Sequence, residues 1–342
     1  MNTYRVVELL GDGISTELSE SVKTIAELLP FELEFLPVDL SLETRNRRPG
    51  SEVYDEAEAL MREVKVALKY PTVTQLESPN KILRERLDFA VIHRPVSTFP
   101  GVNTNFKRDL DIDVVRIATG GTYDDRGRRI GSESAVSLRV IERRPCRHAA
   151  RFAFKLASMR KSSVVSASKY TIQRAADGLF EEAVEYVARD YPSIPHRSEL
   201  FDAMLAGIIM YPERYSVIVT PNEYGDFLSD MACGLIGSIG LGDSASYAFS
   251  REGEITLAMF DPAGGSAPDI AGKGICNPSA ALLSMGSMLS HLGEREAGEG
   301  LRQAIRDCIE AGERTSDIGG DLNTADFTAA VAARLSGMLS PA

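Results

Sequence analysis

Residues 216–242 read SVIVTPNEYGDFLSDMACGLIGSIGLG. Ser216 to Thr220 is a short run rich in Val and Ile and closed by Pro221, the pattern of a buried strand. Asn222, Gly225 and Asp226 follow, and then a helical run begins. Asp226 and Asp230 are four residues apart, so on a helix both carboxylates project from one face. Like charges at that spacing repel unless a cation sits between them. Taken alone, the pair also reads as an aspartate favoured by the helix dipole with a chance neighbour.

Working outward, the N-terminal part repeats the strand, turn and helix order. Tyr4 to Leu10 is a buried-strand pattern ending at Gly11-Asp12-Gly13, with a helix expected from about Thr16. The glycine turn lacks the further glycine of a full dinucleotide fingerprint. Strand Glu32 to Val38, helix Ser51 to Glu63, strand Val64 to Leu68, helix Asn80 to Leu87 and strand Phe89 to Ile92 continue the alternation. From about Pro100 to Arg251 the texture changes. Val114 to Ile117 is strand-like, and the stretch through Val140 alternates in a way that suits an antiparallel ribbon. Helix Cys146 to Arg160, strand Ser163 to Ala167 and helix Arg174 to Tyr191 follow. From Ile255 the chain returns to α/β character and closes with helices Pro278 to Leu292, Arg295 to Gly312 and Thr324 to Met338. This order fits a central segment, 100–251, inserted between two halves, 1–99 and 252–342, of a larger α/β domain.

With 342 residues, 44% of them hydrophobic, the chain is long enough for one large or two ordinary domains with buried cores. A net charge of −11 leaves no basic stripe to neutralise phosphates and argues against a nucleic-acid surface. The run Arg45, Arg47, Arg48, ending in Pro49-Gly50, reads as a solvated loop, as does Arg126, Arg128, Arg129. Cys146, Cys233, Cys276 and Cys308 show no metal or redox spacing and fit small core residues in a reducing compartment. No apolar signal region or membrane-length span is seen, so a cytoplasmic protein with no membrane partner is expected.

Several separated blocks carry a resemblance. PNEYGDFLSDMACGLIGSIGL, GGSAPDIAGKGICNPSAALLS and RTSDIGGDLNT are the most specific, supported by GDGI, LRERLDFAVIHRPV, RIATGGTY and RHAARFAFKLA. From Gly11 to about Thr328 the chain resembles the β-decarboxylating dehydrogenases, the isocitrate, isopropylmalate and homoisocitrate enzymes, nearest to NAD-dependent members. The resemblance implies an α/β fold of the isocitrate/isopropylmalate dehydrogenase type, a two-domain subunit with a discontinuous large domain. It also implies a homodimer that interlocks through the ribbon around Gly121 to Val140, with Lys169 and Asp202 reaching the active site of the other subunit.

The family oxidises a 2-hydroxy acid with NAD(P) and then removes the carboxylate on C3. By register with it, Arg84, Arg94 and Arg116 would grip the substrate carboxylates, a task that suits the planar guanidinium fork. Asp202, Asp226 and Asp230 would hold the metal, and their all-oxygen donor set selects Mg²⁺ or Mn²⁺ over zinc. Lys169 would help deprotonate the hydroxyl and Tyr123 would protonate C3, with Asp202 beside them as a third catalytic residue. Asn222, Gly265, Ser266, Ala267, Asp269, Ile270 and Asn277 would bind the cofactor. Asp269-Ile270 resembles the NAD-using members, because a carboxylate accepts ribose hydroxyls and repels a 2′-phosphate.

The departures sit around the cofactor. Gly264 stands where the family usually has a histidine against the adenine. Arg116-Ile117-Ala118 loses a carboxylate near the nicotinamide, Lys169-Tyr170-Thr171-Ile172 replaces Lys-Ala-Asn-Val, and Lys69-Tyr70-Pro71 replaces Lys-Gly-Pro. Ser78 and Asn80 stand where the isocitrate enzymes hold the branch carboxylate on C3, and both can donate to an anion. Lys81 could add charge, although an exposed helix lysine is the plainer reading. The expected reaction is therefore NAD-dependent oxidative decarboxylation of a 3-substituted malate with an anionic branch. A catalytically weak regulatory member stays open beside it. So does a specialised biosynthetic enzyme acting on an analogue such as homoisocitrate or a phosphonate.

Overall fold

In the first strand, β1 (Thr3–Leu10), Val6 packs into one apolar core while Val7 and Leu9 pack into another. The split follows from the two-residue period of a strand and requires cover on both faces of the sheet. A computed structural model describes residues 2–48, 51–75 and 77–339. After β1 come α1 (Ser15–Ala26), β2 (Glu32–Asp39), α2 (Leu42–Arg47), α3 (Glu52–Val64), β3 (Val66–Lys69) and α4 (Pro79–Arg86). The middle of the chain forms β4 (Phe89–Ser97), β5 (Asp111–Ile117), β6 (Arg128–Ile130), β7 (Ser134–Val136), α5 (Arg143–Arg160), β8 (Val164–Ser168) and α6 (Ala176–Ala188). It continues with β9 (His196–Leu200), α7 (Phe201–Met210), β10 (Val217–Thr220), α8 (Asn222–Ile236) and β11 (Asp243–Phe249). The last elements are β12 (Ile255–Pro262), α9 (Ser279–His291), α10 (Arg295–Glu310) and α11 (Thr324–Leu339).

Ten strands form one sheet in the order β2-β1-β3-β12-β11-β4-β5-β10-β8-β9. Its two wings are parallel, and its centre, β12-β11-β4-β5, is antiparallel. The expected ribbon is present as the separate antiparallel pair β6 and β7, with Gly121 bridging Val140 behind it. Three elements carried no sequence expectation. β9 and α7 follow Pro195 without a break, and β11 reads DSASYAF, too poor in β-branched residues to announce a central strand. Its Ser244 and Ser246 are buried, so small side chains here serve close packing between β12 and β4.

The run Arg45, Arg47, Arg48 requires a correction. Ser41 caps α2, its Oγ accepting the Thr44 N–H at 3.3 Å, so Arg45 and Arg47 lie in a helix and not a loop, with Arg48 just past its end. The Arg45 side chain is only 5% exposed and lies 3.5 Å from Asp12. It donates to the carbonyls of Leu40 at 2.9 Å and Val73 at 2.7 Å. A buried guanidinium survives because those oxygens replace water. Pro49-Gly50 lie outside the described residues. The four cysteines are free and buried, and among the described residues no helix is long and apolar enough to cross a membrane.

Candidate active site

The site begins at the N-terminus of α4. Ser78 is its cap, with Oγ accepting the Lys81 N–H at 3.4 Å, and Pro79 occupies the first turn. One turn of helix then sets Asn80 and Arg84 on a common face at i and i+4. The neighbouring antiparallel pair supplies two more arginines. Register places Arg94 opposite Val114, and Arg116 two residues further along β5, so both side chains leave the same face of the sheet. Helix α8 packs over that face. Gly225 makes the approach possible, since a Cβ there would meet the Arg116 Cβ at 2.6 Å.

These elements enclose a pocket of about 370 Å³ lined by Ser78, Asn80, Arg84, Arg94, Arg116, Tyr123, Asn222 and Asp226, with Lys81 and Asp124 at its wall. Arg94 Nη1 donates to Ser229 Oγ at 2.6 Å and to Asp230 Oδ1 at 3.1 Å. Arg116 Nε donates to Asn222 Oδ1 at 2.9 Å, and its Nη1 pairs with Asp226. The Tyr123 hydroxyl donates to Asp226 Oδ2 at 3.1 Å. Burial, then the neighbouring Arg94 and Arg84, pulls Arg116 below the ordinary guanidinium range, while Asp226 works against that shift. Burial also lowers Arg84, with Asp261 opposing and Arg94 adding to it. Arg84 Nε, Arg94 Nε and Asn80 Oδ1 are buried without hydrogen-bond partners. Three crowded guanidiniums, two of them with an unused buried donor, make a receptor for anionic oxygens.

Lys169 and Asp202 stand elsewhere. Lys169 follows β8, Asp202 lies in the first turn of α7, and Lys169 Nζ donates to Asp202 Oδ1 at 2.8 Å. That hydrogen bond holds the Asp202 carboxyl below its usual range. Neither residue lines the pocket. One chain therefore brings Asp226 and Asp230 together on α8 without Asp202. Among the described residues no three His, Cys, Asp or Glu side chains converge as a metal-holding group.

The loop after β12 holds the remaining expected residues. Ser266 O accepts the Ile14 N–H at 3.0 Å. Gly13, at φ +61°, runs so close that a Cβ there would lie 1.8 Å from that oxygen. Glu17 accepts from Gly272 N at 3.0 Å and Gly274 N at 2.8 Å, fastening the loop to α1. Gly265 and Asp269 are exposed, while Ser266, Ala267, Ile270 and Asn277 are half-buried. Asn277 Nδ2 donates to Asp317 at 3.0 Å, and its Oδ1 accepts the Ser279 N–H at 2.9 Å. Nothing would lie within 4 Å of a Cβ at Gly265, which leaves the backbone open to a ligand. Asn222, expected with these residues to bind the cofactor, lies in the pocket wall against Arg116.

Two side chains that matter to this arrangement, Ser229 and Glu17, carried no sequence expectation for the site, and Lys81 was expected there at most as an added charge. Lys81 Nζ donates to the carbonyls of Tyr123 at 2.8 Å and Asp124 at 3.4 Å, tying α4 to the loop that carries Tyr123. Its spacing of three from Arg84 on one helix was the available signal. Ser229 and Glu17 offered none, because a lone serine and a first-turn glutamate read as ordinary helix residues.

Comparison with known proteins agrees with this geometry. A family profile described as isocitrate/isopropylmalate dehydrogenase matches residues 5–331. The isocitrate/homoisocitrate dehydrogenase of Thermus thermophilus is 35% identical over 334 residues, covering 96% of this chain and 97% of that one. A 3-isopropylmalate dehydrogenase of Archaeoglobus fulgidus is 35% identical, covering 97% and 99%. The crystal structure of isocitrate dehydrogenase from Methylococcus capsulatus superposes with a TM-score of 0.85 at 29% identity, covering 97% of this chain and 99% of that one. With its pocket of arginines and aspartates and a match over nearly its whole length, the chain belongs to the isocitrate/isopropylmalate dehydrogenase family of β-decarboxylating dehydrogenases.

Proposed function

We propose that the protein oxidises and decarboxylates a 3-substituted malate whose C3 branch ends in an anion, using NAD and Mg²⁺ or Mn²⁺. Isocitrate or a close analogue is the preferred substrate and 3-isopropylmalate the poorest. The observation that carries this reading is the meeting of Ser78, Asn80 and Lys81 with Arg84, Arg94 and Arg116 in one pocket. The buried donors Arg84 Nε and Arg94 Nε, left unpaired, cost about 1–3 kcal/mol each, and an anionic substrate would relieve that cost. An isopropyl branch would leave the Ser78 and Asn80 donors unmet.

The arginines bind and orient the carboxylates. Lys169 takes the proton of the C2 hydroxyl. Burial, then Asp226, pushes Tyr123 up to about 12, so it stays protonated and can deliver its proton to C3. Asp226, Asp230 and Asp202 present only hard oxygen donors, which fit a small divalent cation; held there, it supplies positive charge beside the C2 oxygen. The open backbone at Gly265 and the exposed Asp269 fit the adenosine portion of NAD, which supplies the hydride acceptor. In a homodimer with shared sites, Lys169 and Asp202 of one subunit complete the pocket of the other. Residues 1–99 with 252–342, and 100–251, are proposed as the two domains that border this site.

The deciding experiment follows NADH absorbance with NAD, Mg²⁺ or Mn²⁺ and a panel of 3-substituted malates. Turnover of isocitrate or a longer anionic analogue supports the reading. Binding of such acids without turnover of any would replace it with a regulatory role.

A further inference from the structure

Arg139 lies on the return arm of the ribbon, one residue before Val140, which exchanges hydrogen bonds of 2.7 and 3.0 Å with Gly121. Its side chain turns inward and joins two helices. It pairs with Asp177 in the first turn of α6, and its Nε donates to Glu223 Oε1 at 2.5 Å in the first turn of α8. Side-chain exposure is 11% for Arg139, 0% for Asp177 and 6% for Glu223. The Tyr224 ring lies under the guanidinium at 5.0 Å. Arg139 Nη2 and Glu223 Oε2 are buried without partners, and the Tyr224 hydroxyl donates to Asp177 Oδ2 at 3.5 Å.

The two carboxylates lead to different parts of the site. Asp177 Oδ2 accepts the backbone N–H of Lys169 at 2.7 Å. Glu223 directly follows Asn222, which holds Arg116 in the pocket. We infer that Arg139 is a positioning residue that fixes the Lys169 backbone relative to the pocket wall of its own subunit. The inference rests on the shared-site reading above, in which those two elements serve different active sites of the dimer. One side chain of the ribbon then spans from one active site to the next. The physical reason is that two buried carboxylates hold their separation only while a shared cation lies between them. Without it they repel, and the loop from Lys169 to Asp177 is the less anchored of the two partners.

Two variants test this: Arg139→Lys, which keeps the charge but not the two-sided grip, and Arg139→Met combined with Glu223→Gln, which removes the cation together with one carboxylate. In both, kcat in the NADH assay should fall about ten- to a hundredfold, as for a misplaced catalytic group. KM for the hydroxy acid should stay within about twofold. Amide exchange measured by mass spectrometry should quicken about tenfold in the peptide covering 169–177 and stay unchanged in 222–236. Unchanged exchange at 169–177, faster exchange with unchanged kcat, or a loss spread evenly over every peptide, KM and melting temperature would each overturn the inference. Should the unmodified protein turn over no hydroxy acid, the functional reading fails, and exchange at 169–177 alone then decides whether Arg139 holds that segment.

Discussion

Lys169 Nζ lies 2.8 Å from Asp202 Oδ1, and this pair stands outside the pocket that contains Asp226. A lysine and an aspartate that close on each other in one chain can act on the pocket of a second. Lys169→Ala and Asp226→Asn proteins, each inactive, should therefore regain part of the activity after subunit exchange, because some hybrid dimers hold one intact site. Subunits that exchange, as shown by native mass spectrometry, yet stay inactive would rule out the shared site.

Substrate choice turns on the start of α4. Replacing Ser78 by Ala together with Asn80 by Leu should cost about 2–4 kcal/mol in kcat/KM for the anionic substrate. Malate, which has no branch, should lose far less. Because Ser78 also caps the helix, Asn80→Leu alone is the control that separates recognition from helix stability. A preference of the unmodified protein for 3-isopropylmalate would contradict these two roles.

In the proposed NAD site Gly264 would leave the adenine without an aromatic neighbour, and the backbone there does not demand glycine. Its φ is outside the left-handed region, and an added Cβ would approach nothing nearer than Ile239 Cγ2 at 4.0 Å. Gly264→His should lower KM for NAD about two- to tenfold, the size of an aromatic contact. An unchanged or higher KM would show that the adenine lies elsewhere.

Cofactor choice should follow Asp269. The unmodified protein should favour NAD over NADP, and Asp269→Lys with Ile270→Tyr should move the preference toward NADP by replacing a repelling charge with an attracting one. Equal kcat/KM for the two cofactors before mutation would count against the role of Asp269.

Lys69 is buried at the end of β3, its Nζ donating to Tyr70 O at 2.8 Å and Thr72 Oγ1 at 3.2 Å. Burial pushes it down to about 8 from 10.5, with Asp261 opposing the shift. Between those values the unfolded chain carries the proton and the folded chain does not, so this residue makes stability rise with pH. The unfolding free energy of the unmodified protein minus that of Lys69→Met should climb by up to about 1.4 kcal/mol per pH unit across that window. A flat difference in urea melts would mean that Lys69 is neutral or charged in both states.

The alternation of strands and helices, the ribbon, and the one-sided placement of Asp226 and Asp230 were all legible in the sequence. Each depends on chain-local periodicity: two residues in a strand, about 3.6 in a helix. The family blocks likewise named Arg84, Arg94, Arg116 and Tyr123, which the fold gathers in one pocket. Only tertiary structure decided that Arg94 and Arg116 share a face, because this depends on the register of β4 against β5. It also decided that DSASYAF becomes a central strand, that Arg45 is buried among carbonyls, and that Lys81 holds the Tyr123 loop. The separation of Lys169 and Asp202 from the pocket of their own chain was implied by the family resemblance and not by periodicity. Periodicity fixes which way a side chain leaves its own element, whereas the partners it meets depend on which elements pack beside it, and that is set by the burial of whole faces.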